Sequence, residues 1–459
     1  FSVSFGSEGN LPEKFSGFSL TSVEKQIHYT NPGYELIEIV QNGVSYTKPE
    51  MSDAGSIANP GQPNLPTVST FYAVEPGKTF SLQTTIVQTQ TFENVDILPF
   101  DTWENESAGS SSAGDIYSQN QLFPGTIATV SDPMVFRDLI MVQVSITPFQ
   151  YNPVTKTLVA IQDVEIELVE NGHTEMPFVP EKRSRAFEAL YESLIVNYSS
   201  LSRDNLEYQR PAILYVLPNN IGNLFGTVEE LMDWKKRVGY DVQFVSSSNI
   251  VNNRNNLKNY IDDAYENWEN PPVHVTIVGD ADGSYDIPTW SESYSGYNGE
   301  GDHPYTMLEG SDPYPEVFIG RISFSTSSHL NTIISKTLNY ESNPYMNENW
   351  FQRACLVGDP NTSGVSCVIT NEHINEILDL SGFEEVNTIY GGSFPSQMVS
   401  GINDGIGFFN YRGYYGVSGF GGSDVNSTSN GFMLPVATVI TCGTGSFASG
   451  GESLIESFI

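Results

Sequence analysis

The chain has 459 residues, of which 39% are hydrophobic and 12% aromatic. That is enough apolar surface for a sizeable core; it excludes wholesale disorder, and at roughly 150 residues per domain it points to two to four domains. Twenty basic residues face 55 acidic ones, for a net charge of −35; no basic cluster is large enough for a nucleic-acid surface, and docking on an anionic membrane is disfavoured for the same reason.

No apolar run reaches the ~18 residues that a spanning helix needs, so no membrane insertion is expected. The chain begins FSVSF, without Met or a basic signal peptide, and reads as mature or trimmed. The apolar stretch Gly451 to Ile459 has no C-cap and no polar tail, so the polypeptide is expected to continue beyond Ile459. Three cysteines, Cys355, Cys367 and Cys442, are too few for a disulfide scaffold, and the odd count leaves at least one thiol free. Few charged residues, many Ser, Thr, Asn and Tyr, and the acidity together incline the reading to a secreted or cell-surface protein. The carboxylates are available to calcium.

Residues 1–180 alternate apolar and polar positions between turn residues, as in Tyr34 to Val40, Thr79 to Val87, Leu139 to Thr147 and Thr157 to Leu168. The period of two predicts an all-β sandwich or barrel. Glu104 to Gly114 reads as a flexible exposed loop. Residues 181–210 read as a linker: Lys182, Arg183 and Arg185 form a basic cluster, followed by helically spaced Phe187, Leu190, Tyr191, Leu194, Ile195 and Tyr198. The cluster is either a proteolytic processing site or an ordinary helix-start linker.

From Pro211 the pattern changes. Apolar strands are predicted at Ile213 to Leu217, Val242 to Val245, Val273 to Val278, Val317 to Ile319, Ala354 to Val357, Val386 to Tyr390, Ile406 to Tyr411 and Val436 to Thr441. Helical faces alternate with them, carrying Leu224 to Trp234, Leu257 to Trp268, Leu330 to Leu338, Ile369 to Leu378 and Gln397 to Ile402. Residues 211–459 therefore read as an α/β domain with a mostly parallel sheet covered on both faces, and its chemistry is expected at the carboxyl ends of the strands.

Three strand ends stand out. After Val278, Asp280, Asp282 and Asp286 surround Gly283; they either cradle calcium or make a turn with solvated and capping carboxylates. After Thr441 comes Cys442-Gly-Thr-Gly445, a thiol before a glycine-rich turn whose N–H groups could hold an oxyanion; a buried structural cysteine is the alternative. After Tyr411 comes Arg412-Gly-Tyr-Tyr-Gly416, where a cysteine nucleophile would want an imidazole and finds none. His28 and His173 fall in the β region, His274 in a strand, His329 and His373 in helices. Only His303, in Gly301-Asp-His-Pro-Tyr305, lies in a polar glycine-rich loop.

Taken in order, Trp234-Lys-Lys-Arg-Val-Gly239, Val278-Gly-Asp280, Glu316-Val-Phe-Ile-Gly-Arg321, Asn339-Tyr-Glu341, Asn410-Tyr-Arg-Gly413 and Thr441-Cys-Gly-Thr-Gly-Ser-Phe447 resemble the gingipain-type cysteine peptidases of family C25. The first half resembles that family's all-β propeptide. The resemblance implies a caspase-like α/β domain, incomplete at its C-terminus, a Cys/His dyad, calcium sites and an inhibitory prodomain covering the active-site cleft. It gives Cys442 the nucleophile's place and Asp359 the supporting carboxylate; beside these, Gly443 and Gly413 remain the candidate oxyanion turns and Asp280, Asp282 and Asp286 the candidate metal ligands read from the residues. Activation would follow cleavage near Lys182 to Arg185 or near Arg210. Proteins or peptides would be substrates, the prodomain a partner, and export would use a type IX secretion system. The dyad histidine's place reads Tyr414 or Tyr415, and a phenol with a reference pKa near 10 is a poor base at neutral pH. The base would then be His303 or lie beyond Ile459; otherwise the chain is an inactive C25-like adhesion or scaffold protein, or a calcium-stabilised structural one.

Overall fold

The computed structural model describes residues 19–459 apart from 24, 42, 53, 57, 101–112, 202–205, 295–296, 344–347 and 449. Most of the flexible loop expected at Glu104 to Gly114 lies outside the described residues. The chain forms two compact units, Phe1–Gln209 with Glu309–Glu316, and Arg210–Leu308 with Val317–Ile459.

In the first unit every strand pairing is antiparallel among the described residues. One sheet centres on the long strand Thr157–His173, which pairs with Lys78–Phe92, Gln26–Thr30 and Phe149–Asn152. Another centres on Leu139–Ile146, flanked by Val68–Val74 and Ala128–Val130. Val164, Ile166 and Leu168 are buried while Glu165 and Glu167 are exposed, the alternation that one covered sheet face imposes. Ile27, Tyr29, Val164 and Ile166 from the first sheet share one core with Val68, Tyr72, Val142 and Val144 from the second, so the two sheets pack face to face. At about 1.5–3 kcal/mol per buried large aliphatic side chain, this core opposes the chain entropy of the unit.

The connector behaves differently from its hydropathy. Its helix is only Glu188–Leu194, and Ile195 then makes a β-bridge with Phe71. Tyr191 donates to the buried Asp138 carboxylate, which also accepts from the Ser184 N–H at 2.9 Å.

The second unit holds two four-stranded parallel sheets rather than the one that the strand pattern suggested. The first runs Asp241–Val245, Ala212–Val216, His274–Val278, Phe318–Ile322; the second runs Glu385–Ile389, Arg353–Val357, Phe408–Tyr415, Val436–Cys442. Hydropathy reports burial but not which backbone edges meet, so sheet membership was not readable. Each sheet has the order second, first, third, fourth in chain direction, which leaves a crevice where the connections part company. In the second sheet Cys355 and Val357 face a core with Met398 and Phe409, while Ala354 and Leu356 face Leu378. Helices Phe394–Asn403 and Ser366–Leu380 thus cover opposite faces. A hairpin, Trp290–Tyr294 with Tyr297–Gly301, carried no apolar alternation and was not foreseen.

Two motifs of the sequence reading brace helices. Trp234 Nε1 donates to Glu341 at 2.7 Å, and Lys235 Nζ reaches both Glu341 oxygens at 2.7 and 2.8 Å. These bonds fasten Phe225–Arg237 to Ser327–Ser342.

Candidate active site

Cys442 ends the strand Val436–Cys442 at the edge of the second sheet. Its side chain is exposed, whereas Cys355 and Cys367 are buried. Burial pushes the Cys355 thiol up to about 12 and raises that of Cys367 as well. Cys442 is therefore the one accessible thiol among the three.

The turn after it is built by shape. Gly443 has φ +75°, and a Cβ there would lie 2.9 Å from the Tyr415 ring. No other residue meets both conditions without strain. Tyr415 is the cross-strand partner of Cys442, and the Gly416 N–H donates to the Cys442 carbonyl at 2.9 Å. The tyrosine-bearing segment is not a turn directly after Tyr411, as the sequence suggested. The strand continues to Tyr415 through an irregularity after Arg412. Gly413 permits this, because the Tyr411 ring crosses it and a Cβ would sit 2.5 Å from a ring carbon. Tyr414 and Tyr415 are each 69% exposed, at the place where the resemblance seeks an imidazole.

Asp359 follows the strand Arg353–Val357 and N-caps the short helix Pro360–Ser363. Asp-Pro with Thr two residues on is a legible capping signal. One carboxylate oxygen accepts from the Asn361 N–H at 3.0 Å. The other accepts from Thr362 Oγ1 at 2.7 Å and from Ser418 Oγ at 2.9 Å. Burial raises the carboxyl's pKa, but these bonds outweigh it and hold the group below the usual aspartate range. Ser418, at φ +37°, also meets the Tyr411 hydroxyl at 3.0 Å, and Ser363 Oγ accepts from the Tyr414 N–H at 3.0 Å. The ends of three strands, at Asp359, Tyr411 to Tyr415 and Cys442, are thus joined in one polar assembly.

Below it lies a buried amide relay. Asn371 Nδ2 donates to the Val357 carbonyl at 2.9 Å, Asn410 Nδ2 to Asn371 Oδ1 at 2.7 Å, and Thr438 Oγ1 to Asn410 Oδ1 at 2.5 Å. It ties the three central and edge strands to the helix Ser366–Leu380. Asn410 belongs to a quoted motif; nothing local singled out Asn371, Thr438 or Ser418.

His303 is exposed and opens a 3-10 turn, His303–Tyr305. Beside it Asp302 receives Arg321 Nε and Nη2, each at 2.8 Å, in a pair that is 7% and 10% exposed. Arg321 Nη1 also donates to the carbonyls of Gly279, Asp280 and Ile287, and the guanidinium lies 5.1 Å from the Phe447 ring centroid. The Ala448 N–H donates to Glu300 at 3.2 Å. The loop carrying His303 therefore meets the segment five residues beyond Cys442, and Arg321 was the unrecognised link.

The Asp280 loop closes on itself. Asp280 and Asp286 form a backbone bridge, and Asp280 Oδ1 accepts from the Ala281 N–H at 2.6 Å. Burial raises the Asp280 pKa, with Glu456 and Asp282 adding repulsion. Among the described residues no three His, Cys, Asp or Glu side chains group as a metal site requires. In the basic cluster Ser184 is buried, Arg183 pairs through its backbone with Glu207 and Gln209 at 2.9 Å each, and Arg185 stacks on Tyr208 at 4.2 Å. No helix of the described residues is long and apolar enough to cross a membrane.

Residues 207–459 match the model of peptidase family C25, and residues 19–205 match that of the C25 propeptide. Gingipain R2 of Porphyromonas gingivalis is 28% identical over 421 residues, covering 87% of this chain and 56% of the relative. Lys-gingipain of the same organism is 22% identical, covering 83% and 23%. Among solved structures, that of the Arg-specific cysteine proteinase gingipain R is 26% identical and covers 54% of this chain and 58% of its own, with a TM-score of 0.48. The chain spans about half the length of the first of these curated relatives.

Proposed function

Since the chain belongs to peptidase family C25 and begins with a region matched by that family's propeptide, we propose that it is a secreted cysteine endopeptidase in proenzyme form. Cys442 attacks the scissile carbonyl of a protein substrate. The N–H groups of the Gly443 turn, with Gly413 beside them, receive the developing oxyanion. Asp359 acts as a positioning residue, fixing the 411–418 segment through Ser418. His303 supplies the imidazole that takes the thiol proton and returns it to the leaving amine. The N-terminal unit covers the cleft until cleavage in the 182–210 region. The observation that carries this reading is the single exposed thiol at the carboxyl end of a parallel strand, before a turn that only glycine fits.

Iodoacetamide labelling at pH 7 tests it. Cys442 should react at least tenfold faster than a free low-molecular-weight thiol once the linker is nicked, and His303→Ala should abolish that advantage. Labelling at the free-thiol rate, before and after nicking, removes the nucleophile.

One observation favours a second reading. Tyr414 and Tyr415 stand exposed where the family has its histidine, as in a relative that keeps the fold for adhesion or scaffolding without turnover. Fast labelling of Cys442 that depends on His303 would end it.

A further inference from the structure

Arg412 is one of 20 basic residues in a chain with 55 acidic ones, yet among the described residues no carboxylate takes its charge. The residue is half-buried, and Nη1 donates to backbone carbonyls, those of Gly413 and, at 3.5 Å, Ile440. Its place follows from the ladder, in which Asn410 pairs with Thr438 and Arg412 with Ile440 in parallel register. The Asn410–Thr438 side-chain bond shows that paired residues share a face. Alternation along each strand then puts Arg412, Ile440 and Cys442 on that face, whereas Tyr411 and Val439 pack into the core on the other. Ile440 is 55% exposed and Cys442 is exposed too, so the face is open from the guanidinium to the thiol. Cys442 lies two residues beyond Ile440, about 6–7 Å along the strand, a span that one substrate side chain can cover.

The carboxylate at this end of the sheet is already taken. Asp359 accepts from the Asn361 and Thr362 N–H groups and from the Thr362 and Ser418 hydroxyls. The Cys367 thiol, raised first by burial and then by Asp359, is drawn down by Arg412, so both charges lie at the same end. The charge left for a substrate is the guanidinium's. We propose that Arg412 selects the residue on the acyl side of the scissile bond, and that this residue is acidic. An aspartate or glutamate side chain lies along Ile440 and pairs with the guanidinium while Cys442 faces the carbonyl. Arginine bonds a carboxylate through two parallel N–H groups, and it repels a lysine or arginine in the same place. This deepens the cysteine peptidase reading and rests on it.

Peptidyl acyloxymethyl ketones that differ only in that residue test it on the full chain with its linker nicked. The Cys442 thiol displaces the acyloxy group as a carboxylate and is left as a thioether, counted by mass spectrometry. Each rate is divided by the iodoacetamide rate of the same variant. Asp and Glu reagents should label Cys442 roughly tenfold or more faster than Asn and Gln reagents, and faster still than Arg and Lys reagents. Arg412→Gln should erase the acid preference, Arg412→Lys should keep part of it, and Arg412→Glu should turn it toward Arg and Lys. Should the Gln and Glu variants fail to fold, salt decides on the unmutated chain: the acid advantage should shrink between about 10 mM and about 1 M NaCl, while the Asn and Gln rates hold. A preference for Arg or Lys, equal rates across the set, or an acid preference undiminished by Arg412→Gln or by salt overturns the proposal. If any of these comes with fast iodoacetamide labelling, only the specificity is wrong. If Cys442 meets iodoacetamide at the free-thiol rate yet shows the acid preference that depends on Arg412, only the peptidase reading is wrong.

Discussion

Asp359 shows how one carboxylate can join a helix cap to a segment far away in the chain. Its carboxylate is buried and spans the helix cap and Ser418. Because its pKa is held down in the folded chain, the stability it contributes is present above the unfolded value of about 3.9 and is lost as pH falls through the folded value. Asp359→Asn should therefore give a shallower loss of stability below about pH 4, read from denaturant midpoints across pH. An equal slope would place the acid sensitivity elsewhere. The capping role was legible from Asp359-Pro-Asn-Thr362, since short polar side chains before proline favour helix starts. The partnership with Ser418 was not, because 59 residues separate the two and only the fold makes them neighbours.

At the scale of elements, the second sheet is held by side chains as well as by its ladder. Asn371, Asn410 and Thr438 link a helix to strands Arg353–Val357, Phe408–Tyr415 and Val436–Cys442. Both asparagines are essentially fully buried, so removing one leaves its partners unsatisfied where water cannot reach. Asn410→Ala should cost about 1–3 kcal/mol, seen as a lower urea midpoint at unchanged slope. A midpoint within error of the unmutated chain would show that the relay is dispensable. Most strands and helices were legible from period and apolar runs, usually to within a few residues. The extension of one strand through Gly413 to Tyr415 was hidden, because glycine and exposed tyrosines read locally as a turn. The Trp290–Gly301 hairpin was hidden because its residues alternate no apolar face.

At the scale of the whole molecule, a net charge of −35 repels itself. Raising NaCl from about 10 mM to about 1 M shortens the screening length from about 30 to about 3 Å. The melting temperature should rise accordingly. Calcium chloride at matched ionic strength separates screening from binding: a further rise supports a calcium site such as the Asp280 loop, and an equal rise removes calcium from the account. Composition, period and ordered motifs were enough to place a β-rich region before an α/β region and to mark Cys442 as a residue of interest, because local chemistry and burial pattern are written in consecutive residues; Asp359 entered only through the family resemblance. The tertiary structure alone decided that the parallel strands form two sheets, that Arg321 joins the His303 loop to the segment beyond Cys442, and that residues 309–316 fold with the N-terminal unit. Each of these depends on contacts between residues far apart in the chain, and hydropathy carries no record of which distant backbone edge or side chain a residue will meet.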